Sequence, residues 1–300
     1  GTLNGGAGDD VLTKVGDGYG TEGYYNTAAT LIGGTGNDTL TGNSEADTYV
    51  FNRGDGQDTI LDANVGAVYY GNHTDTISFG IGITSSNLAV SRVGNDLLVK
   101  VTDPGNPSAT DQITIQNWWA SSIYWVESFS FADGTSLSAN DISTLAVTGT
   151  EENNVLDGAN FGLSYQGHGG DDTITAGVGD DTIDGGTGND TIADAGGTNT
   201  IDGGAGNDTI TNGGGNNTID AGSGDDTVTV SGWGTSSVQG GAGNDALSLD
   251  WTQSGTLNGG AGDDVLTKVG DGYGTEGYYN TAATLIGGTG NDTLTGNSEA

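Results

Sequence analysis

The stretch GGDDTITAGVGDDTIDGGTGNDTIADAGG, Gly169 to Gly197, returns to one phrase every nine residues: glycines, an acidic or amide residue, Asp, Thr, Ile. Extended in both directions, the meter gives nonapeptides starting at 167, 176, 185, 194, 203, 212 and 221, each fitting or nearly fitting G-G-x-G-x-D-x-U-x, with U a large apolar residue. Glycines at the first, second and fourth places let six residues form a tight turn through positive φ, and the remaining three then make a short strand. The middle residue of each strand faces the core: Ile174, Ile183, Ile192, Ile201, Ile210, Ile219 and Val228. The flanking Thr and Asp are expected to face solvent. One large apolar side chain per nine residues is too little burial to offset the ordering of the backbone, so something else must hold the coil together.

Composition says what that is. Five Lys+Arg stand against 40 Asp+Glu, a formal charge of −35. Such a chain repels nucleic acid and anionic membrane surfaces and attracts cations. Cysteine is absent, which excludes disulfides and thiolate metal sites and suits an extracellular setting. No apolar run is long enough for membrane insertion. The opening GTLNGGAGDD has neither a basic n-region nor an apolar h-region, so any secretion signal is expected outside these residues. Carboxylate and carbonyl oxygens on a Gly-rich loop, without a His or Cys cluster, select Ca²⁺ over transition metals.

The repeated nonapeptide resembles that of the repeats-in-toxin (RTX, haemolysin-type) calcium-binding proteins. That resemblance implies an all-β fold, a parallel β-roll in which two nonapeptides complete one coil, many bound Ca²⁺ ions, and folding after export from a low-calcium cytoplasm. Residues 18 apart then stack on one face. One face presents Asp172, Asp190, Asp208 and Asp226; the other presents Asp181, Asn199 and Asn217. An amide keeps an acceptor oxygen but no charge, so the second column is expected to bind Ca²⁺ more weakly. Beyond Val228 the step lengthens to 19, through Asp245 and Asp264, and then to 28, from Asp264 to Asp292 and likewise from Asp10 to Asp38. The longer step leaves room for the loop KVGDGYGTEGYY to protrude. The metal-ligating set expected from the sequence is therefore Asp10, Asp38, Asp172, Asp181, Asp190, Asp208, Asp226, Asp245, Asp264 and Asp292. The variants GNSEADTYV at 42, GTEENNVLD at 149 and DAGGTNTID at 194 lose glycines or the Asp, which puts their metal sites in doubt. On the second face the turns give way to an edge carrying Trp233 and Trp251, which are spaced to stack on successive coils.

Residues 1–46 recur without a change at 255–300. The expected organisation is a β-roll over 1–61, a different β-rich block over 62–147, a second roll over 148–254, and the start of the next tandem unit at 255–300 continuing that roll. The middle block alternates apolar and polar residues in DTISF, LAVSR, DLLVKV, DQITIQNW and ESFSF, with VGND and ADG as hairpin turns, and reads as an antiparallel β module. Helix signals are almost absent. With DTYVFNRGDGQDTILD and FADGT, this block resembles the haemolysin-type calcium-binding related domain that interrupts such repeats.

Competing readings are weaker. Trp118, Trp119, Tyr124 and Trp125 read as module core, with a glycan-stacking platform as the alternative. His73 and His168 sit in Gly/Asn-rich turns without metal-spaced companions. Neither Asp171/Asp172 nor Glu151/Glu152 has a nucleophile or base beside it, so no catalytic or organic cofactor-binding residue is expected. The threonine ladder at 173, 191, 209 and 227 suggests a flat ice-binding array, but it is short and is broken at Ala193. The favoured reading is a secreted, calcium-stabilised structural repeat of a long bacterial surface or matrix protein, associating end to end with identical units. The alternatives are the non-catalytic calcium-binding region of a type I-secreted toxin or hydrolase, and a carbohydrate-binding module.

Overall fold

A computed structural model describes residues 1–15, 19–20, 23–24, 27–62, 73–158, 160–250, 253–269 and 282–296. They fall into two compact units, Gly1–Ala146 and Val147–Ala300. Trp251 and much of both copies of the KVGDGYGTEGYY loop lie outside the described residues; within the first copy, Tyr19–Gly20 pairs antiparallel with Gly23–Tyr24.

The second unit is a parallel β-roll with two ladders. One runs through Thr173–Ala176, Thr191–Asp194, Thr209–Asn212, Thr227–Val230, Ala246–Leu249, Val265–Lys268 and Thr293–Thr295. The other runs through Ser164–Gln166, Thr182–Asp184, Thr200–Asp202, Thr218–Ser223, Gly234–Ala242, Gln253–Ala261 and Ala283–Thr289. Register follows the apolar beat: Ile174 pairs with Ile192, Ile192 with Ile210 and Ile210 with Val228. Val228 then pairs with Leu247, Leu247 with Leu266 and Leu266 with Leu294, so the lengthened steps keep the ladder in phase. From Ile174 to Val228 no beat residue is more than 1% exposed.

The expectation of a single inward residue per strand is corrected. The residue two places further on is also buried, because strand side chains alternate. On the first ladder this second inward row is Ala176, Asp194, Asn212, Val230, Leu249 and Lys268; on the other it includes Gly185, Gly203 and Ala221. These are the first positions of the nonapeptides or their equivalents. Asp194 is thus buried, whereas Asp184, Asp202 and Asp220 face solvent as expected.

The first unit begins as a similar roll. Thr2–Ala7, Thr30–Thr35 and Thr48–Phe51 form one parallel ladder; Val11–Thr13, Thr39–Thr41 and Gln57–Leu61 form the other. The middle block contributes antiparallel pairs, Leu88–Val93 on Asp96–Val101 on Gln112–Ile115, and Ser128–Ser130 on Ser136–Ser138. Its hairpins turn at Gly94 and Gly134, as VGND and ADG predict. Three of its strands also extend the roll ladders in parallel: Thr76–Phe79 on Thr48–Phe51, Ser128–Ser130 on Thr76–Phe79, and Gln112–Ile115 on Gln57–Leu61. An open ladder end offers unpaired backbone groups, and the block completes them. The module also contains a helix, Ala139–Ala146, a correction to the expectation that helix is almost absent. Ser138 and Asp141 cap it reciprocally: the Ser138 hydroxyl accepts from Asp141 N at 3.2 Å, and Asp141 Oδ2 accepts from Ser138 N at 2.8 Å.

Of the aromatics singled out in the module, Trp118 and Trp119 are buried, whereas Tyr124 and Trp125 are half-buried. Trp118 is fully buried, stacks on Trp125 at 5.3 Å, and donates from its indole N–H to Ser143 Oγ at 3.0 Å.

Candidate metal sites

Each Asp-lined turn of the second unit is built the same way. In Gly185–Asp190, Gly186 and Gly188 have φ of 102° and 127°, a region that favours glycine, and the turn delivers Asp190 to the head of the next strand. Asp190 Oδ1 accepts the backbone N–H of Asp172, 18 residues earlier, at 2.7 Å. The same bond recurs from Asp190 to Asp208, Asp208 to Asp226, Asp226 to Asp245, Asp245 to Asp264, and Asp264 to Asp292. In the first unit it runs from Asp10 N to Asp38 and from Asp38 N to Asp58. The predicted residues of each column are therefore brought together in two continuous ladders, one per unit, with Asp10 and Asp292 on the outermost described coils.

The second carboxylate oxygen is the informative one. Oδ2 of Asp10, Asp38, Asp172, Asp190, Asp208, Asp226, Asp245 and Asp264 is buried without a hydrogen-bond partner. Beside it lies the first glycine of the turn. A Cβ on Gly167 would meet Asp172 Oδ2 at 2.4 Å and the Gly185 carbonyl oxygen at 2.1 Å; on Gly185 it would meet Asp190 Oδ2 at 2.7 Å and the Gly203 carbonyl at 2.5 Å. Only glycine leaves this oxygen-lined space open. Burial raises Asp172, Asp190, Asp208, Asp226 and Asp245, with neighbouring carboxylates adding to the effect: Asp190 is pushed up to about 6 and Asp226 to about 7. Buried, unpartnered hard oxygens converging from adjacent coils fit a calcium ion, with the Asp carboxylates and first-position carbonyls as the groups that would hold it.

The Asn-lined turns are different. Asp181 Oδ1 accepts from Leu163 N, and Asp181 N and Asn199 N donate to Asn199 Oδ1 and Asn217 Oδ1, so the backbone ladder is intact. The amide arms, however, are already engaged. Asn199 Nδ2 donates to Asp194 Oδ1 at 2.7 Å, Asn217 Nδ2 to Asn212 Oδ1 at 2.7 Å and to the Gly214 carbonyl at 2.9 Å, and Asn212 Nδ2 to Asp194 Oδ1 at 2.9 Å. Asp194 and Asn212 stand where the other face has its first glycine, and their side chains fill that space. Burial, then the Asp181 charge, pushes Asp194 up to about 7. Asp181 is raised by burial as well, and its Oδ2 has no partner. Of this column, Asp181 alone ends its turn with a carboxylate whose Oδ2 is unpartnered, and that turn begins with Ala176 in place of glycine.

Sequence reasoning missed three sets of residues. Asp58 continues the first unit's column after a step of 20, with Oδ2 buried and unpartnered and burial pushing it up to about 7. Asp194 and Asn212 carried a signal, a polar residue in place of the first glycine. The acidic or amide residue before each Asp forms a second ladder of its own. Asn189 N donates to Asp171 Oδ1, Asn207 N to Asn189 Oδ1, Asp225 N to Asn207 Oδ1, Asn244 N to Asp225 Oδ1, Asp263 N to Asn244 Oδ1 and Asn291 N to Asp263 Oδ1. His168 is exposed at φ 72°, and His73 lies 3.6 Å from Glu45.

Comparison with known proteins agrees with this chemistry. The family described as RTX calcium-binding nonapeptide repeat (4 copies) matches residues 2–13, 26–60, 164–192, 195–228, 254–267 and 280–299. The haemolysin-type calcium binding protein related domain matches residues 96–141. The iron-regulated protein FrpA of Neisseria meningitidis serogroup C is 34% identical over 136 residues, 44% of this chain and 11% of FrpA. Among solved structures, the extracellular lipase LipA from Serratia marcescens matches at 15% identity and a TM-score of 0.18, over 88% of this chain and 38% of the lipase, too slight a likeness to bear on the fold. The chain thus spans a minor part of either relative. It carries RTX nonapeptide repeats, which bind multiple Ca²⁺ ions, and a haemolysin-type calcium-binding related domain. No helix among the described residues is long and apolar enough to cross a membrane.

Proposed function

We propose that this RTX repeat chain is a structural spacer: one unit, and the start of the next, of a long secreted bacterial surface or matrix protein that calcium converts from a flexible polyanion into a rod. The observation that carries the reading is the unchanged recurrence of 1–46 at 255–300, together with how the second copy is received. Gln253–Ala261 pairs in register with Gly234–Ala242 on one side and with Ala283–Thr289 on the other, so the repeat enters the roll without an interruption in the ladder. A tandem array joined this way transmits force and spacing along one backbone-bonded column. The metal ligands under this reading are Asp10, Asp38, Asp172, Asp190, Asp208, Asp226, Asp245, Asp264 and Asp292, with Asp181 as an isolated site on the second face. The reading assigns no catalysis to these residues, and it places the protein outside the cell, where calcium is abundant enough to fill the ladder.

The test is small-angle scattering and electron microscopy of a protein containing two full units, with calcium and with chelator. A single stiff rod in calcium that expands to a coil in chelator is the expected outcome. Two lobes moving independently in calcium overturn the spacer reading, and would favour a calcium-binding region attached to an enzyme or toxin.

A further inference from the structure

A cleft of about 530 Å³ opens in the first unit, on the outer face of the sheet that carries Gln57–Leu61, Asp96–Val101 and Gln112–Ile115. Register places three polar residues in one row across those strands: Lys100 stands opposite Gln112, and Gln112 beside Gln57. Paired residues share a face, and the alternation that buries Asp58, Val101 and Ile113 turns this row outward. The facing wall is the segment TDPGNPSATD, residues 102–111, which holds both prolines of the chain, Pro104 and Pro107.

That wall is held in place by the chain itself. Arg53 clamps its start, donating from Nη1 to the Thr102 carbonyl at 3.2 Å and lying 3.6 Å from Asp103 Oδ2. Asp111 clamps its end, where Oδ2 accepts from Gly54 N at 2.8 Å. Between them Asn106 N donates to the Asp103 carbonyl and Ala109 N to the Asn106 carbonyl, two consecutive turns in which the prolines fix φ. Both carboxylates of the lining are thus engaged, since Asp103 Oδ1 also accepts from Gly105 N at 2.9 Å. The polar side chains left to face the cleft are Lys100, Gln57, Gln112 and Thr110, none of which has a side-chain hydrogen bond or ion pair among the described residues.

We propose that this cleft binds a glycan through one carboxylated sugar of hexuronate type, with Lys100 on the carboxylate and Gln57 and Gln112 on neighbouring hydroxyls. A primary amide both donates and accepts, as a sugar hydroxyl does, and two amides on adjacent strands stand about 4.8 Å apart, a spacing suited to successive ring substituents. Pro104 and Pro107 offer apolar surface to the C–H face of a ring, and no aromatic side chain lines the cleft on which a planar ligand could stack. Charge selects the acidic sugar. Lys14, Arg53, Arg92 and Lys268 each donate a side-chain hydrogen bond, which leaves Lys100 as the unengaged cation among the described residues. One ammonium in a chain with 40 Asp+Glu accommodates a single anion and not a run of them, so the uronate is flanked by neutral sugars. The volume lies within the roughly 300–1,000 Å³ of small-molecule sites. The site is independent of whether the chain is a spacer.

The test is titration calorimetry of the full chain in calcium with a glucuronate-containing disaccharide and its neutral diglucose analogue, on the parent, Lys100→Met and Gln112→Leu. The parent should bind the uronate disaccharide at least about tenfold more tightly than the neutral one, and Lys100→Met should erase that difference while retaining the calcium-induced circular dichroism. Gln112→Leu should weaken both sugars alike. A crystal of the parent soaked in the uronate disaccharide is the second measurement, should a variant fail to fold, and sugar density between Lys100 and Pro107 upholds the site. Binding of neither disaccharide by the parent, equal affinity for the two, a preference that survives Lys100→Met, or a soaked crystal with an empty cleft overturns it.

Discussion

The two faces of the second unit's roll use one backbone to opposite ends. Where the turn begins with glycine and ends with Asp, as in Gly185–Asp190, a carboxylate oxygen is left buried and unpartnered. Where it begins with Asp194 or Asn212 and ends with Asn199 or Asn217, the first side chain accepts from the last, and of these four side chains only Asp194 keeps a buried oxygen, Oδ2, without a hydrogen-bond partner. The ladder of backbone N–H to Oδ1 bonds is the same on both. A coil therefore has two ways to close, by an ion or by an amide, and the first position of the nonapeptide decides as much as the sixth.

Removing calcium should break the comparison most completely. The Asp-lined face then faces its own repulsion and the Asn-lined face cannot hold the roll alone, so excess chelator at neutral pH should abolish most of the β signal in circular dichroism. A spectrum unchanged in chelator would show that amide closure suffices.

Exchanging the closing residues sharpens it. Asp208→Asn should raise the calcium concentration for half-folding by about tenfold, since it removes charge from the gaps on either side. The reverse change, Asn199→Asp, sets a second carboxylate against Asp194 Oδ1, and in calcium it should bind an additional ion. Denaturant titrations and calorimetry distinguish these outcomes, and equal responses on both faces would remove the distinction. Next comes Asn212→Val, which puts the residue of position 230 into the preceding coil. It deletes the acceptor of Asn217 Nδ2 and a donor to Asp194, so urea unfolding in calcium should show a loss of about 1–2 kcal/mol, with no change in ion count.

The smallest effect is on pH. Asp190 and Asp226 are raised in the folded chain from the unfolded value of 3.8, chiefly by burial, so the fold binds their protons more tightly than the unfolded state does. Whatever structure the metal-free chain retains should be most stable below about pH 4 and should weaken as the pH rises towards about 7. With calcium the trend reverses, because the ion needs the carboxylates ionised. Melting curves in chelator and in calcium should therefore shift in opposite directions across that range, and parallel shifts would contradict the assigned role of the Oδ2 atoms.

Much of this was legible in the sequence because the roll is a local code. The beat from Ile174 to Val228, the steps of 18, 19 and 28, and the contrast between Asp208 and Asn217 are visible as spacing, and spacing is what a solenoid turns into contact. The failures are of a different kind. Asp194 reads as a defect in its own turn, and only the pleat, which brings it inward beside Asn199, makes it a partner. Asp58 lies in a segment whose step is unlike the others. The parallel docking of Thr76–Phe79 and Gln112–Ile115 depends on which roll edges stand open, and no nearby residue encodes that. The helix Ala139–Ala146 did carry a local signal, the Ser138 and Asp141 cap, hidden by the surrounding β-branched residues.

The two side-chain ladders along the Asp-lined turns run in opposite directions. Asp264 N reaches forward to Asp292, while Asn291 N reaches back to Asp263. The last coil thus offers its successor an amide hydrogen at Asp292 and an amide oxygen at Asn291, and the first coil offers the complementary pair to a predecessor. Each end is a socket as well as a plug. Zippering can therefore start at any coil that first captures an ion and proceed towards either terminus, and an array many units long need not wait for one privileged end to nucleate.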